Sequence, residues 1–266
     1  MVSEKISIAI PTYFTSNFLK EVLNQFLKIE IINEILIQDD SVNFDEHKKI
    51  ESIISKYNSK KIKFIKNEKN LGAFFNKIEV ISNCSNDWVY QIDSDNISSN
   101  KIESLFFKIL EKNDKSYIYY PSHIYQFKKY HYAAKAFSRF NKKHVVTLFE
   151  NDTVLTLKKI VDIFKNGQAI TKDKNIWWVL NMGNFIVNKY TLSEVVKKIE
   201  SNDLNYLNAD AVVFSYLWLL SNNKIMLYED FYHYHRKRKD SLSNKQGDKT
   251  LEVLDYFQNK FIQIDL

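Results

Sequence analysis

Trp88-Val89-Tyr90-Gln91-Ile92-Asp93-Ser94-Asp95 reads as a short apolar strand closed by two carboxylates one residue apart. The first five residues favour extended structure, and the polar turn after them stops it. A strand that ends in Asp-x-Asp presents hard oxygen atoms at the carboxyl edge of a sheet, which is where open α/β sheets take up ligands. Two carboxylates together with ligand phosphates suffice to hold Mg²⁺ or Mn²⁺. Acidic turns after strands also cap helices or simply meet water, so the neighbouring sequence has to decide between these readings.

Working back from this turn, strands and helices alternate. Ile6-Ser7-Ile8-Ala9-Ile10 reads as a buried strand, stopped by Pro11-Thr12-Tyr13. From Asn17 to Leu27 the apolar residues recur at helical spacing. Ile35-Leu36-Ile37-Gln38 forms a second strand and runs into Asp39-Asp40-Ser41. The next helix shows Ile50, Ile53, Ile54 and Tyr57 on one face, and Ile62-Lys63-Phe64-Ile65 is a third strand. Asn70-Leu71-Gly72 then opens a helix carrying Phe74, Phe75, Ile78 and Ile81, and the strand at Trp88 follows. This β-α-β-α-β-α-β order predicts an α/β fold with a mostly parallel central sheet flanked by helices.

Pro11-Thr12-Tyr13, Asp39-Asp40-Ser41, Asn67-x-x-Asn70-Leu71-Gly72 and Asp93-Ser94-Asp95 thus stand, in that order, at successive strand ends. In order and spacing they resemble glycosyltransferase family 2, closely over about residues 5–110 and loosely beyond. The resemblance implies a GT-A (Rossmann-like) domain over residues 1–266. Within it, 1–115 would bind a nucleotide-sugar, 116–235 would hold the acceptor and catalytic groups, and 236–266 would form a basic segment and helix. It also implies an inverting, metal-dependent transfer of a sugar from a nucleotide-diphosphate donor to a hydroxyl of a saccharide or lipid-linked acceptor. Bacterial surface polysaccharide, capsule or lipooligosaccharide synthesis is the expected setting.

The same resemblance assigns roles. Pro11 and Tyr13 lie at the nucleotide, with Tyr13 near the base, and Asp40 accepts hydrogen bonds from base or ribose. Asn70 and Asn76 are candidates close by. Asp93, Ser94 and Asp95 meet the diphosphate; Asp95, the final acid of the motif, holds Mn²⁺ or Mg²⁺, and Asp93 either joins it or meets the ribose, or the metal through water, instead. Read from the residues alone, Asp39-Asp40-Ser41 is equally a helix N-cap, and Gly72 equally a plain turn residue.

Further along, Tyr117-Ile118-Tyr119-Tyr120 reads as a strand and residues 154–164 as an amphipathic helix. Trp177 and Trp178 offer flat apolar faces for a sugar or acceptor, with at least one of them expected in the core. Leu207-Asn208-Ala209-Asp210-Ala211 opens a long apolar helix and resembles the family's acidic pair, with Ala209 in place of the first acid. Asp210 is therefore the candidate base, against the alternative of a carboxylate that complements the helix dipole. Asp203 and Glu229 are the next acids to consider. His233 and His235 sit at i, i+2 and would face one side of a strand, as candidates to complete a metal site. Arg238 stands where the family has a histidine, three residues before Ser241-Leu242-Ser243, so an arginine-to-phosphate contact is the alternative there.

Composition narrows the classes. The chain has 266 residues, 45% of them hydrophobic and 15% aromatic, enough for a sizeable core. Only four glycines and two prolines occur, and no linker-like stretch divides the chain. Cys84 is the only cysteine, so no disulfide forms within the chain, which fits a reducing cytoplasm. No charged-then-apolar leader opens the sequence, and the run Ala211–Leu220 is too short to span a bilayer. The expectation is a cytoplasmic enzyme, with peripheral contact to the inner membrane face as an option.

The net charge of +6 is clustered at Lys128–Lys143, among aromatics, and at His235-Arg236-Lys237-Arg238-Lys239. Such clusters serve a pyrophosphate, an anionic membrane surface, single-stranded nucleic acid or plain solvation. The acidic motifs weigh against nucleic acid. A nucleotidyltransferase would share the sheet but carry a Gly-rich loop after the first strand, which Pro11-Thr12-Tyr13 does not provide. No G-x-G-x-x-G or G-K-[ST] is present. A basic, non-enzymatic binding module is the remaining alternative.

Overall fold

The computed structural model describes residues 4–127, 145–147, 152–170, 176–236 and 247–265. The basic run at 128–143 and the positions Arg238 and Ser241-Leu242-Ser243 lie outside the described residues. In chain order the elements begin β1 (Ile6–Thr12), α1 (Ser16–Phe26), β2 (Ile32–Asp39), α2 (Phe44–Ile54), β3 (Ile62–Lys66), α3 (Gly72–Ser82) and β4 (Trp88–Gln91). They continue with β5 (Ile97–Ser98), α4 (Ile102–Lys112), β6 (Tyr117–Phe127), β7 (Val145–Thr147), β8 (Thr153–Leu155), α5 (Leu157–Lys165) and α6 (Ile176–Leu180). The last are β9 (Phe185–Asn188), α7 (Lys189–Val196), α8 (Asp210–Leu220), β10 (Lys224–Arg236) and α9 (Gly247–Ile262). Two compact units result: Met1–Lys115 with Gly183–Glu194, and Ser116–Met182 with Val195–Leu266.

The first unit is the α/β sheet read from the sequence. Its strand order is β3-β2-β1-β4-β9. The pairs β3–β2, β2–β1 and β1–β4 are parallel, and β4–β9 is antiparallel. Ile6, Ile8, Ala9 and Ile10 are fully buried, as a central strand covered on both faces requires. The chain crosses from β1 outward to β2 and β3, then returns to β4 on the other side of β1. That reversal opens a crevice at the carboxyl ends of β1 and β4. Thr12-Tyr13 and Asp93-Ser94-Asp95 leave their strands there, and Thr15 Oγ1 and Ser94 Oγ join the two turns at 2.6 Å.

In the second unit β6 and β10 run parallel, with a register shift between Tyr228 and Tyr232. β7 pairs with β6 and β8 with β10, both antiparallel. The residues from Ala211 to Leu219 in α8 are all buried, which explains a run too apolar to be amphipathic. Ser215, the polar break in that run, bonds Tyr120 OH at 2.8 Å and donates to the Leu180 carbonyl at 2.7 Å. The amphipathic stretch at 154–164 divides into β8 and α5, because Thr156 caps the helix by accepting the Lys159 N–H. Among the described residues no helix is long and apolar enough to cross a membrane.

Candidate functional site

Two acidic turns hang from the carboxyl edge of the first unit's sheet. At the end of β2, Asp39 is fully buried. One of its carboxylate oxygens accepts the Thr12 hydroxyl at 2.7 Å; the other accepts the Ser41 hydroxyl and lies 3.1 Å from His47 Nε2. Asp40 is also buried. Its Oδ1 accepts the Leu71 N–H at 2.7 Å and Asn67 Nδ2 at 2.8 Å, while its Oδ2 accepts the Gly72 N–H at 2.9 Å. Asn70 Nδ2 donates to the Asp40 carbonyl at 2.9 Å.

Asp40 therefore supplies from a neighbouring strand the cap that α3 lacks locally, since Leu71 offers no side-chain bond at that helix start. The cap of α2 is Asn43, which accepts the Glu46 N–H. Asn67 also donates to Asn76 at 3.0 Å and accepts Gln38 Nε2 at 2.8 Å, so Asn76 is a buried member of this network. Gly72 has φ +80°, a conformation that favours glycine, with open space where a Cβ would lie.

The second acidic turn is built differently. Ser94 is buried against Thr15, but Asp93 and Asp95 are partly exposed. Asp93 Oδ1 lies 3.0 Å from Lys77 Nζ and accepts Gln91 Nε2 at 3.1 Å, and the Asp93 N–H donates to Asn184 Oδ1 at 2.9 Å. Lys77, largely buried on α3, also donates to the Gly183 carbonyl at 3.3 Å. Lys77 did not stand out in the sequence. A lysine within a helical apolar pattern carries no sign of the carboxylate it meets, and Gly183 lies 106 residues away from it.

Tyr13 and Phe14 project at this edge, each about half exposed, with their rings edge-to-face at 4.9 Å. Phe14 and Val42, in the loops after β1 and β2, both have φ of 51°. Such values are uncommon for bulky and β-branched residues, and they tend to occur where a loop is shaped for a ligand. Pro11 does not stop β1, which runs on to Thr12 beside β2; it lies beyond the last pair with β4, Ala9↔Gln91, where its missing N–H costs no hydrogen bond on that side.

The remaining candidates belong to the second unit. Asp210 is the first residue of α8 and half-buried. Trp177 is a core residue packed on Phe164 with ring centroids 4.9 Å apart, and Trp178 is exposed. His233 and His235 face one side of β10 with ring centroids 6.3 Å apart, His233 being buried. Asp203 is buried in an ion pair with Lys260 at 2.8 Å and accepts the Tyr256 hydroxyl at 2.9 Å, which gives it a structural task.

The fit of a divalent cation rests on the oxygen donors of the second acidic turn. Among the described residues no group of three or more His, Cys, Asp or Glu is placed to hold a metal. The turn's carboxylates fit the arrangement in which one or two protein oxygens share a cation with substrate phosphates.

Comparison with known proteins agrees with this geometry. The sequence profile of the family described as "Glycosyl transferase family 2" matches residues 7–176. An uncharacterized glycosyltransferase of Mycoplasma genitalium, MG060, is 30% identical over 145 residues, 52% of this chain and 48% of that protein. The chain thus spans about half the length of that relative. The structure of S. aureus TarS 1-349 in complex with UDP-GlcNAc superposes with a TM-score of 0.64 at 18% identity, covering 98% of this chain and 68% of the other. GalNAc-T7 with UDP, GalNAc and Mn²⁺ gives a TM-score of 0.60 at 13% identity over 88% of this chain and 44% of the other. The fold is that of these GT-A proteins, and the chain belongs to glycosyl transferase family 2.

Proposed function

We propose that this chain transfers a sugar from a nucleotide-diphosphate donor to a hydroxyl of a saccharide or lipid-linked acceptor, with inversion at the anomeric carbon. The observation that carries the reading is the partly exposed Asp93-Ser94-Asp95 turn at the strand-order reversal between β1 and β4. The UDP-GlcNAc held by TarS and the UDP and Mn²⁺ held by GalNAc-T7 support a UDP-sugar as the first donor to try.

In this reading Tyr13 offers an exposed ring to the base. Asp40 acts through the loop it fastens, setting Asn70 and the start of α3 beside the nucleotide. Asp95 provides a carboxylate for Mn²⁺ or Mg²⁺, and Asp93 lies beside it. When bound, such a cation would offset the charge that grows on the departing diphosphate. Asp210 takes the proton from the acceptor hydroxyl as its oxygen forms a bond to the anomeric carbon and the bond to the diphosphate breaks. His233 and His235 are assigned to the diphosphate or its cation, and Trp178 to the acceptor. The basic runs suit an anionic membrane face, which supports a reaction at the cytoplasmic side, in surface polysaccharide, capsule or lipooligosaccharide synthesis.

The test is a screen of nucleotide-sugars for cation-dependent turnover, followed by mass spectrometry of products formed on cell-envelope acceptors. Consumption of one donor class that stops in EDTA is the expected result. Failure to bind any nucleoside diphosphate, with or without Mn²⁺, would overturn the reading.

A further inference from the structure

The two carboxylates of the Asp93-Ser94-Asp95 turn do not have the same surroundings. Lys77 keeps only 9% of its side chain exposed. An ammonium so far from water requires a counter-charge. Asp93 Oδ1 provides it at 3.0 Å, and the Gly183 carbonyl adds a second acceptor at 3.3 Å. Gln91 Nε2 donates to the same Asp93 oxygen at 3.1 Å.

Gly183 lies against the other oxygen: a Cβ there would come within 2.9 Å of Asp93 Oδ2 and push the carboxylate aside. The Asp93 N–H is fixed by Asn184, and the Ser94 hydroxyl is tied to the Thr15 hydroxyl of the β1 turn. A divalent cation approaching Asp93 Oδ1 would meet the Lys77 ammonium at ion-pair distance, and like charges that close repel strongly in a poorly solvated site.

We propose that Lys77 is a positioning residue of the donor site: it neutralises Asp93 and, with Gly183 and Asn184, pins the acidic turn. Asp93 then acts by ordering Asp95 rather than by coordinating the cation. The inference deepens the donor-site reading given above and rests on it. It adds to the sequence-based reading, which left Asp93 open between metal and ribose, a structural task for that carboxylate and a partner, Lys77, that fixes it.

The experiment is titration calorimetry of the full chain with Mn²⁺, with UDP, and with UDP in the presence of Mn²⁺. Thermal unfolding of each variant is followed alongside. Asp93→Asn keeps the shape and removes the charge. Because it breaks the same ion pair, its Mn²⁺ affinity with UDP present should fall by about 10–100-fold, the cost of an outer-shell change, and not be lost outright as with a direct ligand. Lys77→Met should weaken UDP–Mn²⁺ binding about 10–100-fold while tightening Mn²⁺ binding to the nucleotide-free protein, because Asp93 is released. Lys77→Arg should restore the wild-type pattern, which a loss of helix packing alone would not explain. Should Lys77→Met not fold, the Asp93→Asn result decides alone.

Loss of Mn²⁺ binding in Asp93→Asn, or wild-type UDP and Mn²⁺ affinities in Lys77→Met, overturns the proposal and leaves the donor-site reading standing. Wild-type protein that binds no UDP under any condition overturns both.

Discussion

The two acidic turns of the first unit face opposite ways. Asp39 and Asp40 at the end of β2 are buried, and five residues donate to their carboxylates: Thr12, Ser41, Asn67, Leu71 and Gly72. Asp93 and Asp95 after β4 are partly exposed, and only the serine between them is buried. Similar residues at equivalent strand ends thus do different work. The first turn holds loops in place, and the second is turned toward whatever occupies the crevice between β1 and β4. What separates them is the availability of N–H donors nearby. The start of α3 presents two unpaired N–H groups to Asp40, whereas Asp93 meets a lysine and a glutamine.

Substitutions sharpen this contrast, beginning with the largest effect. Asp95→Ala should abolish cation-dependent turnover, a loss of at least about 10³-fold for an interaction worth several kcal/mol. Product formation at saturating Mn²⁺ measures it, and near-normal turnover would erase the distinction between the turns. Asp210→Asn, in the second unit, should lower transfer by roughly 10²–10⁴-fold while UDP binding survives. A rate close to wild type would leave Asp210 as a helix-start carboxylate.

Asp40→Ala leaves the Leu71 and Gly72 N–H groups without their acceptor. It should cost about 2 kcal/mol of stability, as charge-assisted bonds do, and weaken UDP binding through the displaced 67–72 loop. Chemical denaturation and calorimetry would check both; unchanged stability would show that the carboxylate is not the cap of α3.

The smallest effect concerns the other end of β2. Burial pushes the Glu34 carboxyl up, but bonds from Lys63, Ser7 and Ser85 outweigh it and hold the group below its ordinary 4.5. A carboxylate with a depressed folded pKa stabilises above the ordinary value, and the contribution is lost as pH falls through the folded one. The thermal midpoint should therefore fall on acidification below about pH 4.5, and Glu34→Gln should flatten that decline. An unchanged acid limb in the variant would remove Glu34 as its source.

The sheet and the acidic turns were legible because both are written locally. The buried runs Ile6–Ile10 and Ile35–Ile37 admit few structures other than central parallel strands, and acids after such strands fall at the ligand edge. Three things were not legible. The antiparallel pairing of β9 with β4 joins segments nearly 100 residues apart, with Val89 opposite Val187. The direction of the Asp40 carboxylate depends on the helix start at Gly72, brought beside it only by the sheet. The pairing of Lys77 with Asp93 joins a helix interior to a strand end, and an apolar periodicity registers a lysine there only as an interruption. Trp177 and Trp178 show the same limit, since adjacent identical residues divide between core and surface by helix phase alone.

The central claim is that the donor diphosphate and its cation lie at the carboxyl ends of β1 and β4. The most direct measurement is anomalous scattering from crystals grown with UDP and Mn²⁺. The account predicts a manganese peak about 2.0–2.3 Å from an Asp95 oxygen, in the range of hard-cation oxygen ligands, with the uracil beside Tyr13. A manganese peak elsewhere in the molecule, or UDP bound away from the β1 and β4 ends, would contradict it.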